Sequence, residues 1–468
     1  MKIEIQNLGA IRQAEIDLSK RLTIFCGPNN SGKTYVAFII YALTKSGLKY
    51  FRTSSKNEVI PELINHQKAI YKINSENIWK YRNDELKGLK ESLDSIYGIS
   101  EEVVKNLFND FDLKIIETKS EFEESISKMD FENELKINNI SILIKKKKNV
   151  NNIELSLKSK SISKDNIEVL NYFLEAKLYS LIAFYPFNNS NILPVERNSI
   201  YTFSKELSIQ KQEFLDRAQA LGSKTSSRDP FHWLMKSSKR YPLPIRDGLE
   251  VAEDLSNYSK NKSDFFDLAE EIENDLLQGK VIITKEGDVQ FSSNKAKSKK
   301  IPIHLTASIV KTLSSLVFYL KHIASKNELI IIDEPELNLH PNNQVYLTRI
   351  FAKLINKGFR LLISTHSDYI IRELNNLIMA SSKNEGVREV AEKLGYTNEL
   401  MLDKNLVSAY LFNYKNDSAR NVTIKPIEVN EEGFDVETID NTIDELNEKS
   451  EELFYAVKYK KSIENEQN

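Results

Sequence analysis

Gly27-Pro28-Asn29-Asn30-Ser31-Gly32-Lys33-Thr34 decides the fold of this chain. It directly follows the apolar run Leu22-Thr23-Ile24-Phe25-Cys26 and precedes a helix-like stretch from Tyr35 to Leu43. Strand, glycine loop and helix are the context that a phosphate-binding loop requires. Gly27 and Gly32 let the backbone wrap a phosphate, and the loop amides and helix N-terminus face its charge. Lys33 reaches the outer phosphates, and Thr34 can hold Mg²⁺. All eight residues are therefore nucleotide-binding candidates, and the expected ligand is a nucleoside triphosphate.

A second half of this site is expected near residue 333. Glu328-Leu-Ile-Ile-Ile-Asp333-Glu334 has the continuous apolar run of a parallel strand buried on both faces, ending in two acids. Asp333 is placed to hold Mg²⁺ through water. Glu334 is placed to orient or deprotonate an attacking water, which argues for hydrolysis as well as binding. A further buried strand, Arg360-Leu-Leu-Ile-Ser364, delivers Thr365-His366-Ser367. Open α/β sheets bind ligands at the carboxyl ends of their strands, so His366 is read as a γ-phosphate sensor.

Asp333-Glu334-Pro335-Glu336-Leu337-Asn338-Leu339-His340-Pro341, followed by Ser364-Thr365-His366-Ser367, resembles the Walker B, D-loop and switch-histidine elements of ABC-type ATPase heads. The resemblance is narrower to the RecF, SMC and OLD-like group of bacterial ATP-binding proteins, many of them encoded in anti-phage defence systems. The opening Ile3 to Ile11, with Ala14 to Leu18, is similar to that group's first hairpin. The resemblance implies ATP and Mg²⁺ as cofactors, and Asn338 as a D-loop candidate. It also implies a signature helix that closes over the nucleotide of a partner subunit. His304-Leu305-Thr306-Ala307-Ser308-Ile309-Val310-Lys311 is the candidate, opening a helix to about His322. Thr306 and Ser308 would act in trans, with Lys311 beside them. The segment departs from the usual Leu-Ser-Gly-Gly pattern in having no glycine.

Lys33 and Asp333 are roughly 300 residues apart, whereas a compact P-loop domain needs about 150. The expected fold is therefore α/β: a P-loop ABC-type head, a mixed sheet with flanking helices, plus an inserted, largely helical lobe with a β-hairpin. Residues 1–45 form the first head lobe and 46–190 the insertion, with helical stretches at Ser100–Phe111 and Lys119–Asp130. Its hairpin pairs Ile140–Ile144 with Ile153–Leu157. Residues 191–300 bring a return strand, Asn191 to Glu196, whose follower Arg197 is a further site candidate. A helical segment from Ser204 to Ala252, interrupted at Tyr241-Pro242-Leu243-Pro244, and a hairpin from Gly279 to Phe291 complete this part. Residues 301–380 are the second head lobe. Residues 381–468 hold a closing β-unit, Leu406–Phe412 and Val422–Ile427, and an acidic helix from Ile439 to Phe454.

No stretch approaches the roughly 20 apolar residues of a membrane span, and Met1 opens directly into a strand, so a cytoplasmic protein is expected. Cys26 is the only cysteine, which excludes an intrachain disulfide, and the six histidines lack zinc-ligand spacing. Within residues 46–190 no heptad is sustained long enough for an extended coiled coil and no CxxC hook occurs, which disfavours a long-armed SMC protein. The net charge of -2 gives no global sign of nucleic-acid binding. Two local basic clusters are DNA candidates: Lys145 to Lys148 with Lys136, Lys158, Lys160 and Lys164, and Arg228 to Arg240 with Phe231 and Trp233.

These readings point to an ATP-hydrolysing ABC/SMC-like switch that pairs with itself as a homodimer or higher oligomer, with a nuclease or toxin effector as partner and DNA as a further ligand. The alternatives are a non-hydrolysing scaffold, a DNA repair ATPase, or an OLD-like nuclease. The last needs a Toprim domain, for which Asp435 and Asp440 are the nearest acids, and their spacing does not fit.

Overall fold

The computed structural model describes residues 1–45, 59–137, 140–158, 167–202, 241–295, 299–415 and 421–466. Arg228 to Arg240, Lys160, Lys164 and most of the expected 204–252 helix lie outside the described residues.

Its strands are β1 (Lys2–Leu8), β2 (Ile11–Asp17), β3 (Leu22–Cys26), β4 (Lys68–Lys72), β5 (Asp112–Ile115), β6 (Phe131–Ile137), β7 (Ile140–Lys146) and β8 (Asn152–Leu157). They continue as β9 (Ser190–Leu193), β10 (Gly279–Ile283), β11 (Val289–Ser293), β12 (Lys300–Pro302), β13 (Leu329–Asp333), β14 (Arg360–Thr365), β15 (Val407–Tyr414) and β16 (Val422–Ile427). Nine of them form one mixed sheet in the order β5-β1-β2-β16-β15-β3-β14-β13-β9. The run from β15 through β3, β14 and β13 to β9 is parallel throughout. All five residues of β3 and of β13 are buried, as strands covered on both faces must be.

Alternation along these strands divides the interior in two. Phe25, Ile331 and Leu362 face a core shared with the P-loop helix, Lys33–Thr44, and with helices between 59 and 183. Ile24, Ile330 and Ile363 face a second core, built on the helices Ser308–His322, Pro341–Asn356 and Asp368–Ala380. The segment between β3 and β9 thus shares a continuous core with the head. Its strand β5 pairs antiparallel with β1 and extends the head sheet.

The other strands form a four-stranded sheet, β4-β8-β7-β6, which contains the expected β7–β8 hairpin, and a three-stranded sheet, β10-β11-β12. A single π-helical turn at Ile272–Leu277 leads into β10. The Pro242 break caps the start of a helix, Leu243–Glu253. The terminal helix is longer than expected, Glu437–Glu466, because good helix formers continue past Phe454. Among the described residues no helix is long and apolar enough to cross a membrane.

Candidate functional site

Parallel pairing of β3, β14 and β13 brings the ends of three distant strands to one edge: Cys26 before the loop, Thr365 before His366, and Asp333. The Thr34 hydroxyl donates to Asp333 Oδ2 at 2.7 Å, closing the gap of 299 residues between them. Ser364 on the intervening strand donates to the other carboxylate oxygen, Oδ1. Asp333 is 1% exposed, so a buried carboxylate is held by two hydroxyls, as its burial demands.

The loop itself is drawn tight. Lys33 Nζ donates to the carbonyls of Gly27 and Pro28 at 2.9 and 2.8 Å, and the Ser31 hydroxyl donates to Pro28 O at 2.8 Å. Burial lowers the Lys33 pKa, while Glu334 and Asp333 favour its charge. Tyr414, at the end of β15, donates its hydroxyl to Asn30 O at 2.9 Å and holds the exposed tip. Cys26 is buried beneath the loop, and burial pushes its thiol far above the usual range, so it packs as a small apolar residue.

Glu334 is half-buried with φ 48°, a left-handed conformation that costs a non-glycine residue of order 1–3 kcal/mol. Arg197 supplies the restraint. The residue is 2% exposed, and its guanidinium donates to Asp333 O at 2.6 Å, to Glu334 O at 2.7 Å and to Pro194 O at 3.0 Å. Burial brings its pKa down to about 10, with Asp333 the largest opposing charge. Arg197, a site candidate by its place after the return strand, thus directs its donors to the backbone carbonyls of the two acids. Arg197→Ala strands these carbonyls and should lower the unfolding free energy by about 3 kcal/mol or more. A urea midpoint unchanged from wild type would contradict this bracing role.

Beyond Glu334 the chain turns back through Glu336, which is 9% exposed. Its Oε1 accepts the Thr365 hydroxyl at 2.9 Å and the His366 backbone N–H at 2.8 Å, and lies 3.6 Å from His366 Nδ1. One carboxylate therefore ties the turn after β13 to the loop that presents His366, whose ring is 41% exposed. Gln344 adds a second tie, accepting from the Ser367 hydroxyl at 2.5 Å and donating to Leu339 O at 2.9 Å. Asn338 sits exposed between these ties with φ 60°, a conformation asparagine tolerates.

Thr306, Ser308 and Lys311 are not brought to this edge by the chain's own packing. Their helix begins at Ser308 with Ala307 as N-cap, and it belongs to the core on the sheet face opposite the P-loop helix. The Thr306 hydroxyl donates to Ile303 O at 2.6 Å, whereas Ser308 is exposed at the helix N-terminus. Leu305 beside it is 69% exposed.

Ser364, Glu336, Gln344 and Tyr414 were not singled out as site residues by the sequence. Ser364 and Glu336 fall one residue before Thr365 and two after Glu334, and that proximity is the signal the sequence offers for them. Gln344 and Tyr414 carried none.

The Lys145 to Lys148 island is largely neutralised. Lys145 pairs with Glu132 at 2.8 Å, Lys147 with Glu154 at 3.1 Å, and Lys136 and Lys158 with Glu134 at 3.3 and 3.5 Å. Lys146 turns inward, fully buried, to the carbonyls of Lys147 and Val150. Register accounts for Lys145, which faces Glu132 on β6 and Glu154 on β8, whereas Lys146 faces the apolar Phe131 and Ile153. Asp440 is close enough to Asp435 to feel its charge, yet no group of three or more metal-binding His, Cys, Asp or Glu side chains occurs among the described residues.

Residues 1–371 match the family model of the AAA ATPase domain. The chain belongs to this family. No curated protein matches it significantly. Among solved structures it is similar to the SMC head domain from Thermotoga maritima, at 12% identity over 92% of this chain and 98% of that one, with a TM-score of 0.30. An Smc head domain with an extended coiled coil, bound to the C-terminal domain of ScpA from Pyrococcus furiosus, aligns at 12% identity over 95% and 98%, with a TM-score of 0.34.

The donor set of this AAA ATPase domain suits magnesium. Mg²⁺ takes hard oxygens, usually one or two from protein with the rest from water and phosphate. Thr34 Oγ1 and the Asp333 carboxylate are such a pair, already in contact at the end of the loop.

Proposed function

We propose that the chain hydrolyses ATP and works as an ABC-type switch, in which two copies close around nucleotide. The observation that carries this reading is the contact between Thr34 and Asp333, with Lys33 and Glu334 one residue away on either side. Lys33 would turn from its own loop carbonyls to the outer phosphates. Thr34 and Asp333 would hold Mg²⁺, which when bound screens the phosphate charge. Glu334 would take a proton from the attacking water, helped by the burial that raises its pKa.

His366 would sense the γ-phosphate, and Ser308 of a second copy would close the site with its hydroxyl and helix N-terminus. The exposure of Ser308 and Leu305, on the sheet face away from the P-loop helix, supports action on another copy. Closure would bind ATP differently from the open state, so it could gate a nuclease or toxin effector. That anti-phage assignment is supported by the motif resemblance alone, and DNA binding draws no support from the neutralised lysine island.

Phosphate release from Mg·ATP, together with ATP-dependent contact between two heads read by fluorescence energy transfer, tests the proposal. Contact without phosphate release would favour the scaffold. His366 has its own test. Glu336→Gln keeps an acceptor for Thr365 and the His366 amide but removes the charge beside the ring, so kcat should fall about tenfold or more at unchanged KM. The double variant with His366→Ala should be no slower than His366→Ala alone. Additive losses would separate Glu336 from the histidine.

A further inference from the structure

The terminal helix Glu437–Glu466 lies beyond the residues matched by the family model and is left bare along one stripe. Ile439 packs against the second core, and Ile443 is half-buried. The same stripe then runs into solvent: Leu446 is 58%, Leu453 68% and Val457 59% exposed, with Phe454 beside them at 62%. Residues 439, 443, 446, 450, 453 and 457 alternate spacings of four and three, the a/d pattern of a coiled-coil seam, with Ser450 as its one polar member. Large apolar residues clustered on an exposed face mark an interaction site.

Charge selects the occupant. From Glu437 to Glu452 the helix holds seven acids and a single lysine, Lys449, whereas Lys458, Lys460 and Lys461 make the following stretch basic. A parallel copy would set acid against acid. An antiparallel copy sets each acidic half beside the other's basic end and faces Leu446 with Val457 and Leu453 with Ser450. The seam is thereby self-complementary, as a two-fold interface must be.

We propose that this helix pairs antiparallel with the same helix of a second copy, independently of nucleotide. The pairing makes this an interaction surface for a standing dimer. Its consequence for catalysis rests on the two-copy site proposed above: tethering converts ATP-driven closure from a bimolecular event into an intramolecular one.

The test is mass in solution without nucleotide. Wild type should be dimeric at micromolar concentration and Leu453→Glu monomeric, the exposed position leaving the fold intact. Orientation is read by oxidative cross-linking, to which buried Cys26 is silent. Ser450→Cys, near the centre, should cross-link to itself. Val457→Cys should not, because antiparallel partners lie roughly 16 Å apart along the axis, but it should cross-link to Leu446→Cys. A wild-type monomer, or self-linking at Val457, overturns the proposal. If these results hold, Leu453→Glu should also lose about tenfold of its ATPase rate at low protein concentration and recover it at high concentration. An equal rate at both concentrations, with the dimer confirmed by mass and cross-linking, would refute the two-copy site and leave the helix pairing standing.

Discussion

Glu334→Gln is expected to slow ATP turnover by about a hundredfold or more while leaving nucleotide affinity near wild type. Glutamine preserves the side chain's size and its ability to accept a hydrogen bond from water, but it cannot take a proton. The surroundings favour the base role: burial raises the Glu334 pKa, with the His366 charge opposing, so the carboxylate is a better proton acceptor than a solvated one. The residue is also held in a left-handed backbone by Arg197, which aims it from the edge where Thr34 and Asp333 meet. With hydrolysis blocked and binding intact, the closed two-copy state should accumulate with ATP. A turnover rate within twofold of wild type would remove Glu334 from the mechanism.

Gly27→Ala should be the most damaging single methyl in the chain. A Cβ at this position would sit 2.0 Å from the Phe412 carbonyl oxygen, and the φ of 131° is closed to L side chains. Neither contact can relax cheaply, because Phe412 is main chain in β15, hydrogen-bonded between β3 and β16. The expected cost is about 3 kcal/mol or more, seen as a lower urea midpoint, with nucleotide binding lost. Gly32→Ala meets only the end of the flexible Ile11 side chain, at 3.0 Å, and should disturb stability less despite its φ of 88°. Equal midpoints for wild type and Gly27→Ala would mean the loop does not rest on β15.

This contrast marks what could be read in advance. The loop, the buried strands β3, β13 and β14, and the acids at Asp333-Glu334 are local patterns, with periodicity and glycine placement that survive without tertiary context. Gly27 was legible as a loop glycine, but its need for a bare Cα comes from Phe412, which is 385 residues away. Arg197 was legible as a residue after a returning strand. Its task depends on β9 lying beside β13, which pairing alone decides. Likewise β5 and β12 are short, polar-flanked strands that exist because β1 and β11 offer them an edge. The lysine island read as a DNA candidate because local sequence does not reveal that Lys145 faces Glu132 and Glu154 across the sheet and that Lys146 turns inward.

Completion of each site by a second copy is read directly in mixed ATPase activity. Lys33→Ala lacks the lysine proposed to bind phosphate but keeps the Ser308 helix. Ser308→Glu keeps the loop but places a negative charge where phosphate would dock, at a helix N-terminus that tolerates acids. Each should be inactive alone, while the two co-expressed in equal amounts, so that copies pair as they fold, should recover roughly a quarter of the wild-type rate, from the one intact site in each mixed dimer. A co-expressed pair as inactive as its parents would mean that no site is shared between copies.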